Sequence, residues 1–430
     1  MRMNISYRSF LKLLLFVLVF SYIYSIKYRF QLSSIVVLGV CGFLLTLYTR
    51  VKFNFILPRK IWNIVMMLLG FCFLYILVVL INIQCDFYFI KEFVILDLLT
   101  LFAVYPIFVL LKKIYRVITF LVIAKYCILA VTLQNLLAIL MFFFPTLNSF
   151  LLNLLAPSDL EMTIVENAYG FRLIGFGTAF FASGVINSVA LILCAVIINF
   201  SVLSRKQLIE YIIIYLFVFL IGLMMSRTTL VGFVLSLFAF CYKAKIWRFK
   251  VALRLRVILK SMLLTCLIIY IVLCLFPSAY KDRMNTIIRF GFEFVYNYAE
   301  SGKLETSSSN GLLRMYNKIP HNLKTWLIGD GFYRNPENPT RGYYMGTDIG
   351  FVRIIFCVGL LGLLYFILFQ WVVVHYVSNN NEYSLRFFFI LLFILFLLLN
   401  MKGVTDLFRY LILFFCTNSL PKVKAKGEDI

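Results

Sequence analysis

The stretch Ile61–Ile83 reads IWNIVMMLLGFCFLYILVVLINI and contains no charged residue. A helix needs about 20 apolar residues to cross the hydrocarbon core of a bilayer, so this stretch predicts a membrane-spanning helix. Similar apolar runs recur along the chain, and the sequence predicts an all-α integral membrane protein with about twelve spans. The other predicted spans are Phe10–Ile26, Leu32–Tyr48, Phe93–Leu111, Val117–Phe144, Leu173–Phe200, Leu208–Met225, Thr229–Tyr242, Ser261–Phe276, Ile349–Tyr376, Leu385–Met401 and Val404–Thr417.

The overall composition agrees with this fold class. Hydrophobic residues make up 63% of the chain and charged residues only 14%, and the mean hydropathy is +0.97. Such values exclude a water-soluble domain. No small-residue cleavage site follows the first apolar run, so it is expected to remain as the first helix of a single membrane domain over residues 1–430.

The distribution of basic residues predicts the orientation, because Lys and Arg are retained in short cytoplasmic loops. Alternation of the predicted spans places both termini in the cytoplasm, and the net charge of +23 then mostly reflects topology and contact with an anionic inner leaflet. Nucleic-acid binding is not expected, since its basic residues would gather on one soluble face. The cytoplasmic cations would be Arg2, Arg8, Lys12, Arg50, Lys52, Arg59, Lys60, Lys112, Lys113, Arg116, Arg205, Lys206, Lys243, Lys245, Arg248, Lys250, Arg254, Arg256, Lys260, Lys422, Lys424 and Lys426.

One long polar segment, residues 277–347, interrupts the apolar pattern and is predicted to be a periplasmic loop. Within it, Ser301–Gly311 is predicted to be a polar linker and Leu312–Ile319 a short helix, followed by a run rich in Gly, aromatic residues and Pro that is typical of turns. A second external connection carries Asp159, Glu161 and Glu166, which would either bind an acceptor sugar or simply keep that loop solvated.

Metal and cofactor chemistry are not indicated. The ten cysteines form no C-x-x-C pair and almost all stand singly within apolar runs, which argues against a disulfide framework. Only two histidines occur, His321 and His375, so a histidine-built metal site is not expected.

Arginines at the predicted outer membrane boundary carry the main chemical signal: Arg172, Arg227, Arg314 and Arg353. A guanidinium group matches phosphate through two parallel charge-assisted hydrogen bonds, which suits a pyrophosphate clamp for a lipid-linked substrate. The alternative is that each arginine reaches toward lipid headgroups. For Arg172 and Arg227 the clamp is favoured, because topology predicts few cations on that face.

Four motifs resemble those of a known family. They are RLIG at Arg172–Gly175, SRT at Ser226–Thr228, WLIGDGF at Trp326–Phe332, and TDIGFVR at Thr347–Arg353, the last followed by VGLLG. Their residues and order resemble bacterial O-antigen polymerases of the Wzy type, within the wider O-antigen ligase and polymerase superfamily. The resemblance by motif covers about Tyr169–Gly362, and the rest of the chain is similar only in topology.

The resemblance implies a metal-independent glycosyltransferase of the lipid-linked-sugar C class, without a cofactor. Its substrate would be an oligosaccharide on undecaprenyl pyrophosphate, transferred to another lipid-linked repeat unit at the periplasmic face of the bacterial inner membrane. A chain-length regulator would be a protein partner. Two alternatives remain open: an O-antigen ligase acting on a lipid A core, and a flippase for lipid-linked oligosaccharides. The flippase is disfavoured because the sequence shows no internal repeat and no broken helix, and because the long loop would be unexplained.

Within this reading, Asp348 is the expected catalytic base, with Arg172 and Arg227 stabilising the leaving pyrophosphate. Asp348 would otherwise cap a helix together with Thr347. Related ligases are discussed as using a histidine in this region, which leaves His321 as an alternative base and substrate-binding residue.

The remaining candidates are aromatic and charged side chains. Trp326 and Tyr333 are expected to form a sugar-binding wall, although packing in an interfacial aromatic belt is equally compatible. Arg314 and Arg353 are expected to bind substrate. Asp97 and Lys125 are intramembrane charges that would pair or line a cavity, with no specific role assigned.

Overall fold

The computed structural model describes residues 5–30, 32–53, 58–155, 170–241, 278–338, 342–382 and 385–417. This part of the chain is helical, with 78% helix and no β-strand within the described ranges. The helices are α1 (Ile5–Tyr24), α2 (Ser34–Phe53), α3 (Arg59–Asn82), α4 (Leu96–Ile114, preceded by a π-helical turn Ile90–Ile95), α5 (Phe120–Phe143), α6 (Pro145–Asn153), α7 (Phe180–Phe200), α8 (Arg205–Met225), α9 (Thr229–Cys241), α10 (Ser278–Gly291), α11 (Glu293–Ser301), α12 (Ser307–Tyr316), α13 (Leu323–Leu327), α14 (Gly350–Asn380), α15 (Arg386–Asn400) and α16 (Phe408–Leu413).

Eight of these helices are long and apolar enough to cross a bilayer, namely α1, α2, α3, α4 with its π-turn, α5, α7, α8 and α14. The prediction of a multi-pass, all-α membrane protein is confirmed. Two further apolar helices, α9 and α15, are shorter. The predicted span Ser261–Phe276, the basic cluster Lys243–Lys260 and the C-terminal tail lie outside the described residues.

The twelfth predicted span, Val404–Thr417, does not form one continuous helix. Residues 404–407 are not helical, and α16 is followed only by a 3-10 turn, Phe414–Cys416. Asp406 accounts for this break, because its carboxylate accepts hydrogen bonds from the backbone N–H of Phe408 at 2.7 Å and from Gln370 of α14 at 2.6 Å. Polar contacts with a neighbouring helix thus hold the segment in its non-helical form.

α7 forms the centre of the bundle. All its residues from Ser183 to Ile198 are buried, and it packs against α5, α8, α9 and α15. A helix that is hydrophobic on every face is expected in such a position. The segment that leads into the N-terminal end of α7 is therefore attached to a buried, rigid helix.

The helix α14 is broken at Gly359, whose backbone lies in a left-handed, extended conformation (φ 68°, ψ −174°). The break frees the carbonyl groups of Phe356 and Cys357, which accept hydrogen bonds from the N–H groups of Asp330 (2.6 Å) and Gly331 (3.1 Å). The Gly-rich turn of the long loop is thereby docked into the helix. A broken helix was not expected from the sequence, and this expectation was wrong.

A second attachment of the long loop involves Asp86, in the connection between α3 and the π-turn. Its carboxylate accepts hydrogen bonds from the backbone N–H groups of Tyr333 (2.7 Å) and Arg334 (2.6 Å). The Arg334 side chain also pairs with Glu92 at 2.9 Å. These contacts fix the second half of the loop on the bundle.

Candidate anion-binding site

Arg172 and Arg227 lie together at the end of the bundle that carries the long loop. Both guanidinium groups contact the ring of Phe290 in α10, at 4.6 Å and 4.7 Å from its centroid. Arg172 also contacts the Phe180 ring at 4.7 Å. Cations stacked on aromatic faces are held in place while their N–H edges stay free to bind other groups. The two arginines predicted to act together are thus neighbours.

The backbone explains how these two segments meet. Arg227 occupies the tight turn between α8 and α9, and Arg172 lies in the segment that precedes α7. The N–H of Leu173 donates a hydrogen bond to the carbonyl of Met224, at 3.0 Å, which ties the Arg172 segment to the end of α8. Two cations held this close repel each other, and a counter-charge or a bound anion relieves the repulsion.

Lys402 is a third cation at this position. Its Nζ donates a hydrogen bond to the Thr228 hydroxyl at 3.1 Å, directly beside Arg227. Burial, followed by repulsion from Arg227 and Arg172, lowers the pKa of Lys402 to about 8. The sequence could not identify Lys402 as a member of this site, because nothing near it along the chain indicates proximity to the two arginines.

Glu293, the first residue of α11, supplies a negative charge to the cluster. Its carboxylate forms an ion pair with Arg227 and accepts a hydrogen bond from the Ser307 backbone N–H at 2.9 Å. The group of Arg172, Arg227 and Lys402 with Glu293 is called the cation cluster below. One carboxylate against three cations leaves an excess of positive charge.

The cation cluster is partly buried, so water screens its excess positive charge less than it would at the surface. Desolvation lowers the pKa of Arg172, and desolvation together with the nearby Arg172 charge lowers that of Arg227. The Nε of Arg172 is buried and has no hydrogen-bond partner among the described residues. Unpaired cationic donors in a partly dehydrated site bind anions strongly, and phosphate oxygens match the guanidinium geometry.

Asp348 is exposed, two residues before α14 begins. The N-cap of α14 is Ile349 and no side chain caps it, so the alternative role of Asp348 as an N-cap is not observed. The start of α14 packs on the Lys402 loop: a methyl group added to Gly350 would lie 2.7 Å from the Gly403 carbonyl oxygen. Asp348 therefore lies two residues before a position that packs on the chain segment carrying Lys402.

Other predicted site residues lie in different surroundings. Arg353 is buried in α14 and stacks on the rings of Tyr343 (3.3 Å) and Tyr333 (4.3 Å). Tyr333 is only 2% exposed, so its ring is not available to solvent. Trp326 is half-buried and donates a hydrogen bond to the Pro320 carbonyl at 2.8 Å.

Arg314 and His321 are exposed on the long loop, and the Arg314 Nε donates to the Asn310 carbonyl at 3.4 Å. The structure places neither residue in a contact with the cation cluster. Asp159, Glu161 and Glu166 lie outside the described residues.

A cavity of about 610 Å³ adjoins the cation cluster. The two share Phe180, which contacts Arg172 and also lines the cavity. Phe180 has a φ of 55°, which is uncommon for a residue other than glycine and indicates a position constrained by its surroundings. Asp97 lines this cavity, whereas Lys125 is exposed on α5.

The chain matches no protein-family model, no curated protein and no solved structure. Among the described residues, no group of three or more His, Cys, Asp or Glu side chains is arranged to hold a metal ion. The chemistry of the site is that of cationic side chains beside a largely apolar cavity that carries a few polar groups.

Proposed function

We propose that the protein is a glycosyltransferase of the O-antigen polymerase type. It would transfer a glycan from undecaprenyl pyrophosphate to another lipid-linked repeat unit. The observation that carries the proposal is the meeting of Arg172 and Arg227 on one ring, with Lys402 beside them. Three cations at the end of a membrane bundle suit a pyrophosphate whose polyprenyl tail stays in the bilayer.

In the proposed reaction, an acceptor hydroxyl attacks the anomeric carbon of the donor sugar. The bond between that carbon and the pyrophosphate oxygen breaks, and negative charge develops on the leaving group. Preorganised cations stabilise this charge most effectively in a partly dehydrated site. Arg172 and Arg227 would bind the two phosphates, and Lys402 would add a compact third charge.

Asp348 would accept the proton of the attacking hydroxyl. Its exposure and its freedom from a capping role support this assignment, because a base must reach the substrate. The packing of Gly350 on Gly403 brings this end of α14 next to the Lys402 loop. Base and cations would thus flank one substrate.

The proposal includes an orientation and a location. The cation cluster and the long loop would face the periplasm, both termini would face the cytoplasm, and the protein would lie in the bacterial inner membrane with about twelve spans. The basic short loops between α2 and α3, and between α4 and α5, support this orientation.

Two structural features favour a second candidate, a transporter of lipid-linked oligosaccharides. α14 is broken at Gly359, and the non-helical segment before α16 reaches Gln370 in the bundle. Discontinuous helices are common in transporters. However, the break in α14 is filled by the backbone of Asp330 and Gly331, which gives it a structural explanation.

Deletion of the gene in its host distinguishes the candidates, with surface glycan and lipid-linked intermediates measured by gel and mass spectrometry. Loss of a polymerase leaves single repeat units attached to the cell surface. Loss of a ligase leaves long lipid-linked polymer that is not attached. Loss of a flippase leaves single lipid-linked units in the cytoplasmic leaflet, and either of the last two results would contradict the proposal.

A further inference from the structure

The cavity beside the cation cluster is lined by groups that the proposed leaving-group chemistry does not use. Asp97 of α4 and Asp406 of the loop before α16 both line this cavity, and their carboxyl groups lie close together. Two carboxyl groups held close together in a buried site favour a state in which they share one proton, because two like charges there repel each other. A pair in this state both donates and accepts hydrogen bonds.

Asp406 is oriented firmly within this pair. Its carboxylate accepts hydrogen bonds from Gln370 and from the Phe408 N–H. Arg409, which donates to the Ile23 carbonyl at 3.3 Å, lies on the same cavity wall. Arg409 places a positive charge on the same wall as the carboxyl pair, which favours a ligand that is neutral where it meets these side chains.

Thr405 gives an independent sign of a ligand. It is 4% exposed and lines the cavity, and among the described residues its hydroxyl has no hydrogen-bond partner. Its backbone is held by Asn400, which bonds both the Thr405 N–H (3.1 Å) and its carbonyl (2.9 Å). A buried hydroxyl without a partner costs free energy unless something in the cavity binds it.

The remaining walls are largely aromatic and aliphatic. Tyr24, Phe180, Phe181 and Tyr410 contribute rings, and the volume of about 610 Å³ lies within the range of roughly 300–1,000 Å³ typical of small-molecule sites. Carboxyl and hydroxyl groups between aromatic rings suit a ligand with many hydroxyl groups and apolar C–H faces. A lipid tail would leave these polar groups unsatisfied.

The cavity also lies in the right place for an acceptor. Gly403, between Lys402 and Thr405 in the same short loop, packs on the Phe181 ring, where an added methyl group would come within 3.0 Å. Phe181 lines the cavity and Lys402 belongs to the cation cluster. A ligand in the cavity would therefore border the pyrophosphate site.

We infer that this cavity binds the terminal sugar residues of the acceptor glycan, through the Asp97–Asp406 pair, Arg409 and the Thr405 hydroxyl. The inference rests on the proposed function, which concerns the pyrophosphate of the donor. It assigns acceptor recognition to the interior of the bundle, with the long loop outside it.

The test uses the full-length protein in lipid nanodiscs and two probes. Repeat-unit oligosaccharide, prepared from the host's surface glycan, reports on the cavity, and inorganic pyrophosphate reports on the cation cluster. Thr405→Val keeps the side-chain shape and removes the hydroxyl. Ala182→Trp adds bulk to the cavity from an exposed position of α7. Leu364→Trp, at a position of α14 that is 55% exposed, is the matched control.

We expect Thr405→Val to weaken oligosaccharide binding by about tenfold and Ala182→Trp to abolish it, with pyrophosphate binding unchanged. Leu364→Trp should bind both probes as the unmodified protein does. Unchanged oligosaccharide binding in both cavity variants, or none by the unmodified protein, would overturn the inference. Pyrophosphate binding that is insensitive to Arg172→Gln and Arg227→Gln would instead contradict the proposed function.

Discussion

Lys402 and Thr228 are 174 residues apart in the chain, yet the Lys402 Nζ donates a hydrogen bond to the Thr228 hydroxyl. This contact joins the loop before α16 to the turn that carries Arg227. It converts a pair of arginines into a three-cation site, and it makes one of the cations titratable near physiological pH.

Anion binding is expected to depend on pH through Lys402. Its pKa is lowered to about 8 by burial, then by Arg227 and Arg172, so the charge is present below about pH 8 and lost above it. The affinity for inorganic pyrophosphate should therefore fall as pH rises from 7 to 9. Calorimetric titration of the protein in nanodiscs measures this. Lys402→Met should bind pyrophosphate more weakly at pH 7, and its affinity should not change between pH 7 and 9. If the affinity of this variant still falls as pH rises, another group is responsible for the titration.

Arg→Lys substitution at Arg172 or Arg227 should reduce pyrophosphate affinity by about tenfold or more, because Lys lacks the planar fork that binds two phosphate oxygens. The stacking on Phe290 would also weaken. Arg29→Lys, at an exposed position between α1 and α2, is the control and should have no effect. Full-length glycan from cells that carry only Arg172→Ala or only Arg227→Ala would argue against the clamp.

Glu293→Gln is expected to tighten pyrophosphate binding by about threefold to tenfold, since Arg227 would lose a competing carboxylate. The amide oxygen can still accept the Ser307 N–H bond. Glu300→Gln is the matched control, because Glu300 pairs with Arg289 at 2.9 Å on the exposed surface of the same loop. Weaker binding in Glu293→Gln would show that Glu293 supports the site instead of competing for it.

Asp348→Asn should leave a folded, inserted protein that no longer elongates glycan, because an amide cannot accept the hydroxyl proton. His321→Ala should be mild, since His321 is exposed on the long loop. An in vitro assay with lipid-linked repeat units measures both variants. Activity in Asp348→Asn beside inactivity in His321→Ala would move the base to His321.

Gly359→Ala should lower the free energy of unfolding by about 2–4 kcal/mol, because its backbone conformation is almost restricted to glycine. An added methyl group would also lie 2.2 Å from the Leu327 carbonyl oxygen. Gly311→Ala in α12 is the control: no atom lies within 4 Å of the new methyl group, and helix propensity favours alanine by about 1 kcal/mol. Thermal unfolding in detergent measures the stability of both variants. Equal stability of Gly359→Ala and Gly311→Ala would refute a structural role for the break in α14.

The sequence predicted the membrane-spanning helices well where long apolar runs decide the outcome, as in α3 and α5. It was less informative where polar contacts between segments distant in the chain determine the local structure. α12 begins within the segment predicted as a linker, because Thr306 and Ser309 form a reciprocal capping box. The break in α14 depends on Asp330 and Gly331, which no local pattern in α14 reveals.

In the candidate site too, local sequence patterns predicted some residues, whereas others join the site only through tertiary contacts. Arg172 and Arg227 could be selected because cations are unusual at their predicted positions, and the structure brings them together. Phe290, Glu293 and Lys402 reach the site from other parts of the chain, and their roles depend on tertiary contacts. Asp406 lies within an apolar run that was predicted as a span, so its proximity to Asp97 could not be inferred from the hydrophobic pattern.

The ion pair between Glu293 and Arg227 affects how well lipid headgroups can compete for the cation cluster. Anionic membrane lipids carry a single negative charge on their phosphodiester headgroups, and such headgroups would compete for any exposed cation. Such a headgroup offers Arg227 no more charge than Glu293 already supplies. A pyrophosphate carries more charge and can engage Arg172 and Lys402 as well, so it gains by displacing the carboxylate. Under the proposed function, Glu293 would therefore favour a polyprenyl pyrophosphate over the headgroups of bulk lipid at Arg227.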